Sequence, residues 1–393
     1  MDAEEPGKLR VIKLLFVLGT RPEAIKLAPL VLATRRNPAL RVTVCNTGQH
    51  ADMCASVLEL FGIVPDIDLA VMRPGQTLTE LTTSVLGAMQ QLLQREKPDW
   101  LVVQGDTTSA FAASLAAFYQ KVTVAHVEAG LRTGNIYSPW PEEMNRKFIT
   151  SLAHLHFAPL LSNADNLRRE GVDSDRIFVT GNTVVDALKW LVRRLDEDPK
   201  LHQRAQITLD ATGVPCLKEG ASARIVLITA HRRESFGTGF EAICQAIAAL
   251  AARFPDRQFV YPVHPNPTVR ITVFERLGKL GLANVHLIEP LDYLPFVLLM
   301  SRSELILTDS GGIQEEAPSL GLRVIVMREM TERSEGLETG LVRLAGTNRE
   351  RIIANALDAL SGAWGVTQEG RDIYGDGRSS ERILTAIVGQ DNK

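Results

Sequence analysis

The chain has 393 residues, which predicts two domains with cores of their own, and its 45% hydrophobic and 23% charged content is that of an ordinary globular protein. The formal net charge of -3 excludes the basic footprint of a nucleic-acid binder, and no apolar run reaches the length of a membrane span. The polar start from Met1 to Lys8 is unlike a signal peptide and the four cysteines form no CxxC pair, so a cytoplasmic protein without a zinc site or disulfide framework is expected.

Short β-rich apolar runs alternate with helical patterns along the chain. The first predicted strands are Val11–Leu18, Arg41–Thr47, Trp100–Gln104, Val122–Val127 and Ile177–Thr180. A second series follows at Ile225–Thr229, Phe259–Val263, Val285–Ile288, Leu305–Leu307 and Val324–Met327. Helices are predicted between them, for example over Thr108–Tyr119 and Gly239–Arg253. The polar segment Asp196–Ala223 reads as an irregular link between two similar halves. Continuous apolar strands separated by helices mean parallel sheets covered on both faces, an α/β fold.

In such sheets ligands bind beyond the carboxyl ends of the strands. That rule singles out Gly19-Thr20-Arg21-Pro22-Glu23, Gly48-Gln49-His50, Gly105-Asp106-Thr107-Thr108 and Glu128-Ala129-Gly130-Leu131-Arg132. In the second half it selects Ala230-His231-Arg232-Arg233-Glu234, His264-Pro265-Asn266 and Asp309-Ser310-Gly311-Gly312. Charged or glycine-rich chemistry at nearly every strand end predicts a polar cleft lined by two sheets.

The run Leu305 to Glu316 is the most specific of these. A strand stops at Asp309, a turn over Ser310, Gly311 and Gly312 follows, and a helix begins. Unpaired N–H groups at a helix start, with glycines that let an anion approach, suit a phosphate. Glu316 is then one turn away, placed for a hydroxyl pair such as a ribose. A plain strand–turn–helix corner is the competing reading. No GxGxxG follows the first strand of either half, so a dinucleotide cofactor is not indicated.

Arg21 and Lys26 are placed to neutralise a diphosphate or contact a sugar, or else to solvate a helix start. Asp106 is either an acid–base group or the cap of the helix that follows. Glu128 shares a strand face with His126. Glu142 opens a helix and has the i,i+4 spacing for a surface pair with Arg146. Three carboxylates at one edge repel, so one is expected to be pushed up toward neutrality, as acid–base catalysis requires. His231, beside Arg232 and Arg233, fits a hydrogen bonder or acid near phosphate. His154 and His156 alternate as on a strand but lack a third ligand, so no metal is expected. His264 reads equally as loop packing or cleft lining.

Carboxylates and a phosphate grip without a redox cofactor constrain the chemistry. A C–H beside an acetal is too weak an acid for a carboxylate to deprotonate directly. Expulsion of a nucleoside diphosphate in an elimination makes that hydrogen labile, so both features act in one step.

The ordered motifs GTRPEAIKLAPL, TGQH, QGDTTSAFAASLAAFY, HVEAGLRTG, YSPWPEEMNR, GNTVVDAL, TAHRRESFG, YPVHPNP, TDSGGIQEEAPSLG and YGDGRSSERI resemble those of the bacterial non-hydrolysing UDP-N-acetylglucosamine 2-epimerases, from about Lys13 to Ile387. The resemblance implies a GT-B-type fold of two Rossmann-like domains facing a central cleft. The first would take 1–185 with a returning C-terminal helix at about 372–393, and the second, UDP-binding, 186–371. It implies anti elimination of UDP to 2-acetamidoglucal and syn re-addition, giving UDP-N-acetylmannosamine. Asp106, Glu128 and Glu142 would supply acid–base groups and His231 would assist the diphosphate. Arg21 and Lys26 would bind diphosphate or sugar, Ser310, Gly311 and Gly312 phosphate, Glu316 the ribose and Phe296 the uracil, with Arg333 lining the same pocket. A cytoplasmic homodimer without cofactor or metal, with a UDP-sugar as its only ligand class, completes the expectation. A hydrolysing epimerase and a GT-B glycosyltransferase are the competing activities. Asn135, Leu291 and Ser334 depart from the usual pattern, and Gly75 stands where substrate-activated members carry arginine.

Overall fold

Two parallel sheets account for the strand pattern. The computed structural model describes residues 10–365 and 370–391. It divides into two α/β units, the first running to Ala187 and resuming at Gly375, the second spanning Leu188–Tyr374.

Unit 1 holds β1 (Ile12–Leu18), β2 (Leu40–Asn46), β3 (Ile67–Asp68), β4 (Trp100–Gln104), β5 (Thr123–Val127), β6 (Leu155–Ala158) and β7 (Ile177–Val179). Their order in the sheet is β3-β2-β1-β4-β5-β6-β7, every pairing parallel. Helices cover both faces, which is why Leu14 to Leu18 and Leu101 to Val103 are apolar without alternation and almost inaccessible. Leu81, Val85, Met89 and Leu92 of the helix Leu78–Glu96 make one apolar stripe against the alanine-rich helix Thr108–Tyr119. The C-terminal helix Ser379–Asp391 is part of this unit: buried Asp186 accepts the backbone N–H groups of Ser379 (3.2 Å) and Ser380 (2.8 Å) at its start.

Unit 2 holds β8 (Arg224–Thr229), β9 (Arg257–Pro262), β10 (Val285–Ile288), β11 (Ser303–Thr308), β12 (Arg323–Val326) and β13 (Val342–Leu344), ordered β10-β9-β8-β11-β12-β13 and again all parallel. Phe240, Ile243, Ile247 and Leu250 of the helix Thr238–Arg253 pack on Val226, Ile228, Phe259 and Tyr261. The strand order reverses between β1 and β4 in unit 1 and between β8 and β11 in unit 2. Those are the switch points at which such sheets bind ligands.

The expected parallel α/β class is the observed one. The short strands β3, β6 and β13 add to those the apolar runs predict. The segment Asp196–Ala223 is not irregular: it contains the helix Pro199–Ala211, capped by Asp198 and started by Pro199, with Ala205 and Leu209 buried. Its narrow apolar stripe hides the helix among polar residues. Among the described residues no helix is long and apolar enough to cross a membrane.

Candidate active site

In unit 1 the site residues gather where β1, β4 and β5 end. The helix Arg21–Arg35 follows β1 directly, and its Glu23 turns back into the switch point. Glu23 Oε2 accepts from the backbone N–H of Gly19 (3.0 Å) and Thr20 (2.8 Å) and from the Thr20 hydroxyl (2.8 Å), while Oε1 accepts from the Thr107 hydroxyl (2.7 Å). This carboxylate therefore ties the loop after β1 to the loop after β4. Burial pushes it up to about 6. Gly19 is required here because a Cβ would lie 2.1 Å from the Thr47 hydroxyl oxygen.

Glu128 follows β5 in a left-handed backbone conformation (φ 64°), uncommon for a residue with a side chain and a recurring feature of functional sites. Lys26 Nζ donates to both its carboxylate oxygens at 2.6 Å. Gln104 Nε2 donates to Oε2 and Asn182 Nδ2 to Oε1 (3.2 Å). Lys26, expected to face the substrate, thus has its ammonium on Glu128, with both side chains almost fully buried. Arg21, half-buried, opens the same helix.

Asp106 does not cap the helix after β4; Thr107 does, accepting from the N–H of Ala110 at 3.0 Å. Asp106 instead meets the helix Glu142–Leu152. Arg146 Nε donates to its Oδ2 (2.8 Å) and Asn145 Nδ2 to its carbonyl oxygen (2.9 Å). Arg146 is buried between Asp106 and Glu143, whose Oε2 it meets at 3.0 Å. Glu143 also accepts the N–H groups of Thr133 (3.1 Å) and Gly134 (3.2 Å), anchoring the loop after β5. Glu142, at the first helical position, is half-buried beside this network. Asp106, Glu128 and Glu142 therefore start from adjoining strand ends and the helix pinned to them.

His126 is fully buried, with Nε2 2.7 Å from the Gly105 carbonyl, and burial pushes it down to about 4. Its cross-strand neighbour His156 is pushed down to about 3 by burial, with His126 adding to the effect. His154 precedes β6 and is exposed, its ring centroid 6.0 Å from that of Trp100, whereas His156 is buried.

In unit 2 the site forms where β8 and β11 end. Asp309 is buried, and its Oδ2 accepts the backbone N–H groups of His231 (2.6 Å) and Arg232 (2.7 Å). The His231 ring stacks on His264, with centroids 4.7 Å apart and planes at 8°. Burial pushes His231 down, against the opposing pull of Asp309. Gly311 and Gly312 are not a turn before the helix but its first two residues, with Ser310 as N-cap. A Cβ on Gly311 would lie 2.8 Å from the Arg333 guanidinium carbon, so glycine lets Arg333 rest against this helix start. Arg333 Nε donates to Glu315 Oε1 at 2.7 Å. Glu316 is buried and accepts from the Tyr293 hydroxyl at 2.8 Å. Tyr293 and half-buried Phe296 share the helix Tyr293–Ser301.

The residues not expected at the site from the sequence are Gln104, Glu143, Asn182, Tyr293 and Glu315; Glu23 lies in a strand-end run the sequence marks, but was given no role. Glu143 left a local signal in its i,i+3 spacing to Arg146, and Glu23 in its capping-box spacing to Thr20. The others meet partners that the sequence does not place beside them.

The family model described as UDP-N-acetylglucosamine 2-epimerase matches residues 32–388. The UDP-N-acetylglucosamine 2-epimerase of Salmonella typhimurium is 52% identical over 378 residues, covering 96% of this chain and 98% of the relative. That of Escherichia coli is 50% identical over 378 residues with the same coverage. The crystal structure of UDP-GlcNAc 2-epimerase from Neisseria meningitidis bound to UDP-GlcNAc is 44% identical, covers 96% of this chain and 100% of its own, and superposes with a TM-score of 0.86. Parallel sheets, carboxylate-rich strand ends and relatedness over nearly the whole length converge: the chain belongs to the UDP-N-acetylglucosamine 2-epimerase family.

Proposed function

We propose that this protein interconverts UDP-N-acetylglucosamine and UDP-N-acetylmannosamine without releasing the sugar. The observation that carries the reading is the gathering of Asp106, Glu128 and Glu142 at the ends of β4 and β5 and the start of the adjoining helix, in a chain of this family. A carboxylate takes the C2 proton while the bond from C1 to the diphosphate oxygen breaks, its electron pair leaving with UDP. The C2–H electrons form the C1–C2 double bond of 2-acetamidoglucal. A proton then returns to the other face of C2, and the UDP oxygen bonds C1 again. This anti elimination and syn re-addition needs no hydride carrier.

Unit 2 supplies the nucleotide-holding groups in this reading: the helix start at Ser310, Gly311 and Gly312 for phosphate, Arg333 beside it, Glu316 for ribose, Phe296 for uracil and His231 for the leaving diphosphate. Arg21 and Lys26 are the further cations of this reading, Lys26 through its grip on Glu128 as well as by its charge. The protein works as a homodimer; exposed Phe118, Tyr119 and Phe148 on neighbouring helices of unit 1 support a protein-covered face there.

Incubation with UDP-N-acetylglucosamine in deuterated water, without added cofactor, is the test. C2-deuterated UDP-N-acetylmannosamine is expected. Stoichiometric free UDP and free N-acetylmannosamine would assign the hydrolysing reaction instead, and transfer to an acceptor without C2 exchange would assign a glycosyltransferase.

A further inference from the structure

At the switch point of unit 2 one side chain spans two strand ends. Asp309 follows β11 and is fully buried. Its Oδ2 takes the backbone N–H groups of His231 and Arg232, which follow β8. Its Oδ1 lies 3.4 Å from Nδ1 of His231 and has no hydrogen-bond partner among the described residues. One face of the imidazole is covered by His264, whose own Nδ1 accepts the N–H of Asn266 at 3.1 Å. The His231 ring thus turns one edge to the Asp309 carboxylate and one face to His264, and about a third of the side chain remains accessible. Nε2 is the ring nitrogen left for a ligand.

We propose that Asp309 is the positioning residue for His231: it holds the ring as the Nδ1–H tautomer, so that Nε2 exchanges a proton with the departing and returning diphosphate. The inference rests on the reading of His231 as the group beside that diphosphate. A carboxylate can only accept, so the ring nitrogen facing Oδ1 carries the hydrogen; two lone pairs there would repel. Nε2 then alternates between lone pair and N–H. In its protonated form His231 is a cation paired with Asp309. The stacked His264 and the neighbouring Arg232 oppose that cation, and Asp309 is the charge that favours it. As the bond from C1 to the diphosphate oxygen breaks, its electron pair goes to that oxygen, which takes the Nε2 proton. On re-addition the oxygen bonds C1 and the proton returns to Nε2. His231 is the catalytic residue, and Asp309 acts through it.

The test is nitrogen NMR of the full chain labelled with 15N-histidine near pH 8, with the His231 signals identified by their loss in His231→Asn. A protonated Nδ1 and an unprotonated Nε2 are expected; an unprotonated Nδ1 overturns the assignment without any variant being needed. Asp309→Asn keeps an oxygen for the two backbone donors and turns an NH2 group toward Nδ1. The two nitrogen signals should exchange character and kcat should fall at least ~100-fold, with KM changed only a few-fold. Loss of kcat without exchange of the signals overturns the positioning role. Exchange of the signals with full kcat removes His231 from the chemistry, and the reading beneath the proposal fails while the tautomer stands.

Discussion

The Lys26 ammonium lies 2.6 Å from both carboxylate oxygens of Glu128, across 102 positions of sequence. Both side chains are almost fully buried, and Gln104 and Asn182 supply further donors to Glu128. A buried pair of this kind stabilises little over an apolar substitute, but either member left alone is costly. Lys26→Met is expected to cost about 3–5 kcal/mol in urea unfolding. The double variant Lys26→Met/Glu128→Gln should unfold with a smaller loss than the two single losses added. Additive losses would show that the pair is not coupled. C2 exchange should be lost in both variants.

Arg146 reaches Asp106 from one side and Glu143 from the other, and Glu143 is fully inaccessible. Glu143→Gln removes the charge that holds Arg146 and weakens the acceptors for Thr133 and Gly134. A drop in kcat of about tenfold, ~1.4 kcal/mol in the barrier, is expected with KM nearly unchanged. Steady-state kinetics with the UDP-sugar decide it; a change confined to KM would mean that the network only shapes binding.

Acid should destabilise unit 1 through its buried histidines. His126 and His156 have folded values of about 4 and about 3, below the ordinary 6.5. As pH falls below 6.5 the unfolded chain binds protons that the folded chain refuses, so stability drops until the folded values are reached. For His126 alone the loss by pH 4 is on the order of 3 kcal/mol. Glu23 works the other way: its folded value of about 6 means stability is gained as pH falls from about 6 toward 4.5. Urea unfolding from pH 7 to about pH 4 should show the net loss, and His126→Gln should flatten it. An unchanged slope in that variant would contradict the assignment.

Gly311→Ala separates binding from stability. Alanine favours the helix by up to about 1 kcal/mol, but its Cβ falls 2.8 Å from the Arg333 guanidinium carbon. The flexible Arg333 must move away from the helix start, loosening its bond to Glu315. Thermal stability is expected to hold or rise while calorimetric affinity for UDP falls about tenfold, ~1.4 kcal/mol. Unchanged affinity would show that Arg333 takes no part in holding the diphosphate.

Much of the fold was written in the chain. Unalternating apolar runs such as Leu14–Leu18 can be buried only between two layers of helices, and that alone dictates parallel sheets. The rule that ligands meet the carboxyl ends of strands then picked out Asp106, Glu128, His231 and the Ser310–Gly312 run from local pattern. The motifs identified the family for the same reason: each is a short string whose backbone geometry and side chains are used together.

Partnership was the part the sequence left open. Arg146 has acidic neighbours at both i−3 and i−4, and helical spacing alone cannot rank Glu143, Glu142 or a residue from another strand. Sheet order brings the β4 end against this helix and buries the Glu143 face, so Arg146 meets Asp106 and Glu143. Lys26 and Glu128, Glu23 and Thr107, Asp309 and His231 likewise meet only because strands distant in the chain lie adjacent or nearly so in the sheet. Local sequence determined what each strand end carries; which charges face one another was decided by the order in which hydrogen bonding and burial assembled the strands.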